Sequence, residues 1–216
     1  MSPDRVDNAE ADEDGGGGDE KLGVTLKKYK STNRKKKNMV KEMNIVDACN
    51  LLNIEMDENW KGASGEDTAK AIIGSFPIFR VVFMGEKYPI TDFYVEIADD
   101  KEKPYPFLVQ VKTTTSELDE SGRLQVAVPS GNYMALCKRP IPTYIGGVNL
   151  RDDSLFIRPA YDKTEYVSSI APDMVLSKRN ILDCGLKLLK IKRDVINYWE
   201  NLKIKDYKQV YQSIIR

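Results

Sequence analysis

The chain has 216 residues, 41% hydrophobic and 31% charged, with 33 basic and 33 acidic side chains that cancel to a net charge of zero. That length accommodates one domain with a real core plus an extension, and the zero net charge conceals an uneven distribution along the chain. Histidine is absent, which excludes hydrolases with an imidazole base and nucleases with a histidine nucleophile, and argues against a zinc site.

No run approaches the about 18–20 apolar residues of a membrane span, and the first residues are acidic, so neither a membrane anchor nor a secretory signal is expected, and the cytoplasm is the expected compartment. Cys49, Cys137 and Cys184 are widely spaced and form no CxxC pair, so they read as reduced, structural thiols. Neither GxxxxGK[ST] nor GxGxxG occurs. What chemistry remains must rest on carboxylates, amides, lysines and a hard metal ion.

Residues 1–20 hold eight acidic side chains, one arginine and the run Gly15 to Gly18. Such a composition cannot offset chain entropy by burial and predicts disorder. The sign then reverses, with Lys27, Lys28, Lys30, Arg34, Lys35, Lys36 and Lys37 crowded around Tyr29. Residues 1–38 therefore read as an acidic-then-basic tail. A solvated polyampholyte and a basic arm on nucleic acid, with the acidic segment as its competitor, both fit.

A folded domain over 39–216 is expected to open with an amphipathic helix through Val40, Met43, Val46, Cys49 and Leu51 or Leu52. A second helix is expected from an N-cap at Ser64, burying Ala69, Ile72, Ile73 and Phe76 and stopped by Pro77. Strand-like runs follow at 79–84, 90–97 and 107–113, then a short helix through Met134 and Leu136, and strands near 143–150 and 155–158. The end, from Ile181, reads as a helix with Leu182, Leu186, Leu189, Ile196, Trp199 and Leu202 as its apolar side. Ten basic and four acidic residues over 178–216 suit a core-packing helix with a solvated lysine face, a DNA-tracking surface, or a dimer contact through the apolar stripe. The order α-α-β-β-β-α-β-β-α specifies an α/β fold, a small mixed sheet flanked by helices.

Chemistry concentrates on the second and third strands. Period-two alternation places Phe93, Val95 and Ile97 on one face and Asp92 on the other. It likewise separates Phe107, Val109 and Val111 from Gln110 and Lys112. An amide and an ammonium in so apolar a strand need partners, and a metal-bound carboxylate with a polar substrate supplies them. On the second helix, Glu66 falls about 20° from Ile73, at the edge of the buried side, whereas Asp67 points away. Glu96 shares a face with Asp92 but lies roughly 13 Å along the strand, too far for one ion, and is expected in solvent.

Gly65-Glu66, Ile90-Thr-Asp92-Phe-Tyr-Val-Glu96 and Val109-Gln110-Val-Lys112-Thr-Thr resemble the PD-(D/E)XK nuclease superfamily, over roughly Gly62 to Arg158. More narrowly they are similar to a branch of uncharacterised bacterial proteins with a QxK ending, in a group thought to act in phage defence. The resemblance implies a restriction-endonuclease-like αβββαβ core. It also implies Mg²⁺, with Mn²⁺ as a substitute, held by Asp92, Gln110, the Val111 carbonyl and Glu66, with Lys112 beside the reacting phosphate. The chain departs from the pattern in two ways: Pro89 stands three residues before Asp92, and Gln110 replaces the second acid, removing a negative charge from the metal site. A DNA endonuclease is the leading expectation, with double-stranded DNA as substrate and a homodimer or a defence complex as its setting. The alternative is a nucleic-acid-binding module that keeps the fold without catalysis.

Overall fold

A computed structural model describes residues 43–85, 88, 90–98, 105–160 and 166–201. The charged tail, Val40 of the expected first helix, Pro89, and Leu202 at the other end lie outside the described residues. With Met43 aside, everything described belongs to one compact unit, Asn44–Arg216.

Helix α1, Ile45–Leu52, starts where the Asn44 side chain accepts from the Asp47 N–H and ends at Asn53 in the left-handed region. Helix α2 spans Glu58–Ile73, so it begins well before the expected cap at Ser64, which lies inside it. The Asp57 side chain accepts from the Trp60 N–H and caps the true start, which offsets part of the roughly 1 kcal/mol each that Gly62 and Gly65 cost in a helix interior.

The strands are β1 (Phe79–Phe83), β2 (Phe93–Ile97), β3 (Tyr105–Thr114), β4 (Leu124–Val128), β5 (Thr143–Asn149), β6 (Ser154–Pro159), β7 (Val167–Ile170) and β8 (Val175–Ser177); helix α3, Ser130–Cys137, joins β4 to β5, and α4, Ile181–Asn201, follows β8. Six strands form one mixed sheet in the order β1-β2-β3-β5-β6-β8. β1, β2 and β3 make an antiparallel meander, and β5 lies parallel to β3. The expected order is thus augmented: β4, β7 and β8 are additional, and β4 pairs with β7 in a separate two-stranded ribbon. The described residues form a mixed α/β fold with four α-helices.

Alternation along the central strands builds two cores. Phe93, Val95, Phe107, Val109, Tyr144 and Val148 pack with Ala69, Ile72 and Ile73 of α2 and Leu188, Ile191 and Val195 of α4. On the other side Ile145 and Phe156 pack with Leu124, Val126, Tyr133, Leu136 and Ile170. The paired glycines of β5 let both layers come close. A Cβ on Gly146 would meet Leu155, and one on Gly147 would lie 2.8 Å from Leu124.

In α4 the buried residues are Cys184, Leu188, Ile191, Val195 and Trp199, whereas Leu182, Leu186 and Leu189 are exposed. The expected apolar side is therefore turned, because the helix is locked by Trp199, whose Nε1–H donates to the Pro106 carbonyl at 2.8 Å. The three cysteines are free thiols. Among the described residues no helix is long and apolar enough to cross a membrane.

Candidate active site where two strands part

The candidate site forms where β2 leaves β3. On β3, Leu108 N–H donates to the Pro142 carbonyl and Thr114 O accepts from Leu150 N–H, so these residues turn their backbone toward β5; the alternate residues face β2, and Val109 O accepts from Asp92 N–H. The paired register stops at Phe93 opposite Val109. Two residues on, Val111 faces β2 with no strand opposite it among the described residues.

An unpaired buried peptide group is costly, and side chains complete the ladder here. Asp92 Oδ2 accepts from Val111 N–H. Gln110 Nε2 donates to the Val111 carbonyl at 3.1 Å and to Asp92 Oδ2 at 2.9 Å. Gln110 is 6% exposed, one of the few buried polar residues. The strand departure has a local cause: Ile90, two residues before Asp92, has φ 76°. That conformation is strained for a β-branched residue, by about 1–3 kcal/mol, and such strain clusters at functional sites.

Glu66 approaches from the α2 layer. A Cβ on Gly65 would fall 1.8 Å from Thr113 Oγ1, so only glycine lets α2 rest on β3 at this point, and it carries Glu66 to the site with it. Since Thr113 faces α2, alternation sends Gln110 and Lys112 to the opposite side. Glu66 thus belongs to the α2 side of the sheet, and Gln110 and Lys112 to the other. Glu66 meets the group from the other layer, and its link to Asp92 is electrostatic.

Burial pushes the Glu66 carboxyl up from its ordinary value, and the charges of Asp92 and Asp67 push it further the same way. Burial also raises Asp92, against the Val111 N–H and the Lys112 ammonium, which pull it down. Lys112 thus sits within electrostatic reach of Asp92. Glu66 also lines a cleft of about 150 Å³ with Ala63, Asp67, Lys70, Phe83 and Phe93. Lys70, one turn after Glu66, and the half-exposed Phe83 were not singled out from sequence, although the four-residue spacing from Glu66 places Lys70 beside it. Asp67, expected to point away, is exposed but shares that cleft.

Glu96 is not free in solvent. Its carboxylate accepts from the Tyr94 hydroxyl at 2.9 Å and from Arg80 at 3.2 Å, because Arg80 is its cross-strand partner on β1. It is accounted for without a substrate.

Among the described residues no three Asp, Glu, His or Cys side chains cluster as a cation cage. The oxygen chemistry nevertheless suits a hard cation: two carboxylates whose pKa burial raises, a carbonyl that has lost its strand partner and an amide oxygen. The amide as it stands turns its NH₂ group inward. Compared with family models, curated proteins and solved structures, the chain matches none.

Proposed function

We propose that the chain is a divalent-cation-dependent nuclease that hydrolyses phosphodiester bonds of DNA. Asp92, Glu66, the Gln110 amide oxygen and the Val111 carbonyl would hold Mg²⁺ or Mn²⁺. The observation that carries the reading is the Asp92 carboxylate at the strand separation, hydrogen-bonded to Val111 N–H and flanked electrostatically by Glu66 and Lys112. The reading draws support from the antiparallel β1-β2-β3 meander, followed by β4 and helix α3 and then by β5 parallel to β3, which agrees with the αβββαβ order the resemblance implies. Membership of that superfamily and a role in phage defence belong to the same proposal.

When bound, the cation would supply a Lewis acid for the phosphate and a water of lowered pKa. The chain's own groups do the rest. Asp92 is fixed by its backbone hydrogen bond, so its position costs no reorganisation during reaction. The Lys112 ammonium stabilises the charge that develops on the phosphate oxygens. Glu66 contributes the second full negative charge that Gln110 withholds.

Supercoiled plasmid incubated with purified full chain tests this directly. Cleavage is expected with Mg²⁺ or Mn²⁺ and not with chelator, and Asp92→Ala and Lys112→Ala are expected to lose about 100-fold or more. Equal cutting by wild type and Asp92→Ala sinks the reading. The inward NH₂ of Gln110 favours the second reading, a nucleic-acid-binding module without catalysis, and DNA binding by a wild type that never cuts would establish it.

A further inference from the structure

Gln110 does more than its place among the proposed ligands requires. An amide offers a donor end and an acceptor end, and a cation takes only the acceptor. Here the donor end faces in, with Nε2 at 2.9 Å from Asp92 Oδ2 and 3.1 Å from the Val111 carbonyl. Turned over, Oε1 would face a carboxylate oxygen and a carbonyl oxygen with no hydrogen between them. Three acceptors in a buried place repel, and leaving them unsatisfied is costly. The outward amide is therefore stable only when a positive charge enters among those oxygens, and the inward NH₂ is what fills that position otherwise.

We propose that Gln110 is a built-in occupant of the cation position: its NH₂ group bridges Asp92 and Val111 in the metal-free chain, and a divalent cation enters only as the amide turns over to present Oε1. The inference rests on reading this site as a metal-dependent one. It makes the metal-free fold self-sufficient, because Asp92 Oδ2 and the Val111 carbonyl that β2 leaves behind are both satisfied from within. It also sets the affinity, since each cation bound must replace two hydrogen bonds. A carboxylate at this position would do the reverse, leaving the metal-free site with three like charges and rewarding metal entry with a stronger ligand.

Mg²⁺ alone, added to chelator-treated full chain, is the probe. In ¹⁵N-labelled protein the Gln110 side-chain NH₂ pair, assigned by its loss in Gln110→Glu, is expected to exchange slowly with solvent. It should shift as Mg²⁺ is added, saturating with the Kd that calorimetry reports. Gln110→Glu is expected to have a lower metal-free Tm than wild type and to bind Mg²⁺ about tenfold more tightly or better. Gln110→Met, which removes the donor without adding charge, should also lower the metal-free Tm and keeps the test usable if Gln110→Glu does not fold. Suppose Mg²⁺ binds and Asp92→Asn abolishes that binding, yet the NH₂ pair stays put and Gln110→Glu binds no tighter. The inference is then wrong while the metal site stands. If Gln110→Met lowers Tm but neither wild type nor Gln110→Glu binds Mg²⁺ at millimolar levels, the metal reading itself has failed and the inference with it.

Discussion

Asp92 is pulled in two directions, and the balance has a measurable consequence. Burial favours its protonated form, while the Val111 N–H and Lys112 favour the carboxylate, and burial wins. Glu66 is raised as well, by burial first and then by Asp92 and Asp67. A carboxyl group whose pKa is raised by folding binds its proton more tightly in the native state than in the unfolded one. Its contribution to stability is therefore full below the unfolded value, 3.8 for Asp92 and 4.5 for Glu66, and is lost as pH rises through the higher folded value. Asp92→Asn keeps an oxygen for the Val111 N–H and removes the charge. The variant should melt above metal-free wild type at pH 7, by a few degrees at most, with the gap closing as pH falls toward 3.8. The same substitution should abolish cleavage, so stability and activity are expected to move in opposite directions. A lower Tm for Asp92→Asn at pH 7 would show that the hydrogen bonds outweigh the burial.

At the scale of elements, the site depends on how closely α2 lies on β3. Thr113 is β-branched and cannot swing its Oγ1 and Cγ2 away together, and both fall inside 3 Å of a Cβ on Gly65. Gly65→Ala must therefore lift α2 and move Glu66 with it. The expected cost is about 1–3 kcal/mol of stability, together with a loss of cleavage larger than the loss of folded protein. Gly65→Ala/Thr113→Ala should recover part of both, since it removes Oγ1 and Cγ2 and leaves only the Cβ of residue 113 at 2.8 Å. Additive effects in that double variant would refute the contact.

The same elements show what a single sequence reveals. Asp92, Gln110 and Lys112 were legible because alternation over an apolar strand leaves each polar side chain conspicuous. The start of α2 was misplaced because Ser64 and Asp67 imitate a cap, while Asp57 does the capping. β4 carries clean alternation at Leu124, Val126 and Val128, so it could have been read. β7 and β8 span four and three residues and are strands only by virtue of their partners. The turn of α4 was hidden for a similar reason: leucine lies on two sides of it, and only docking decides which is buried. The orientation of the Gln110 amide could not be foreseen either, because it follows from where β2 ends.

For the whole molecule, charge is the property the net value conceals. The described core includes Val46 of α1 and continues through Trp199 of α4, and the sequence of residues 1–38 has no apolar periodicity. Deleting them should leave Tm within about 1–2 °C of the full chain. Their effect is expected on DNA. Seven cations lie between Lys27 and Lys37, and each phosphate they neutralise adds about 0.9 to the slope of log affinity against log salt. Loss of residues 1–38 should lower that slope by several units if the arm lies on the backbone. Deleting residues 1–20 alone removes the eight acids and leaves the cations in place, so it should tighten DNA binding if the acidic segment competes for the arm. Opposite signs for the two deletions identify a basic arm under acidic control. Two flat responses leave a solvated tail, and DNA affinity must then come from the folded unit. A Tm loss of about 5 °C or more on removing 1–38 would mean that part of the fold extends into that segment.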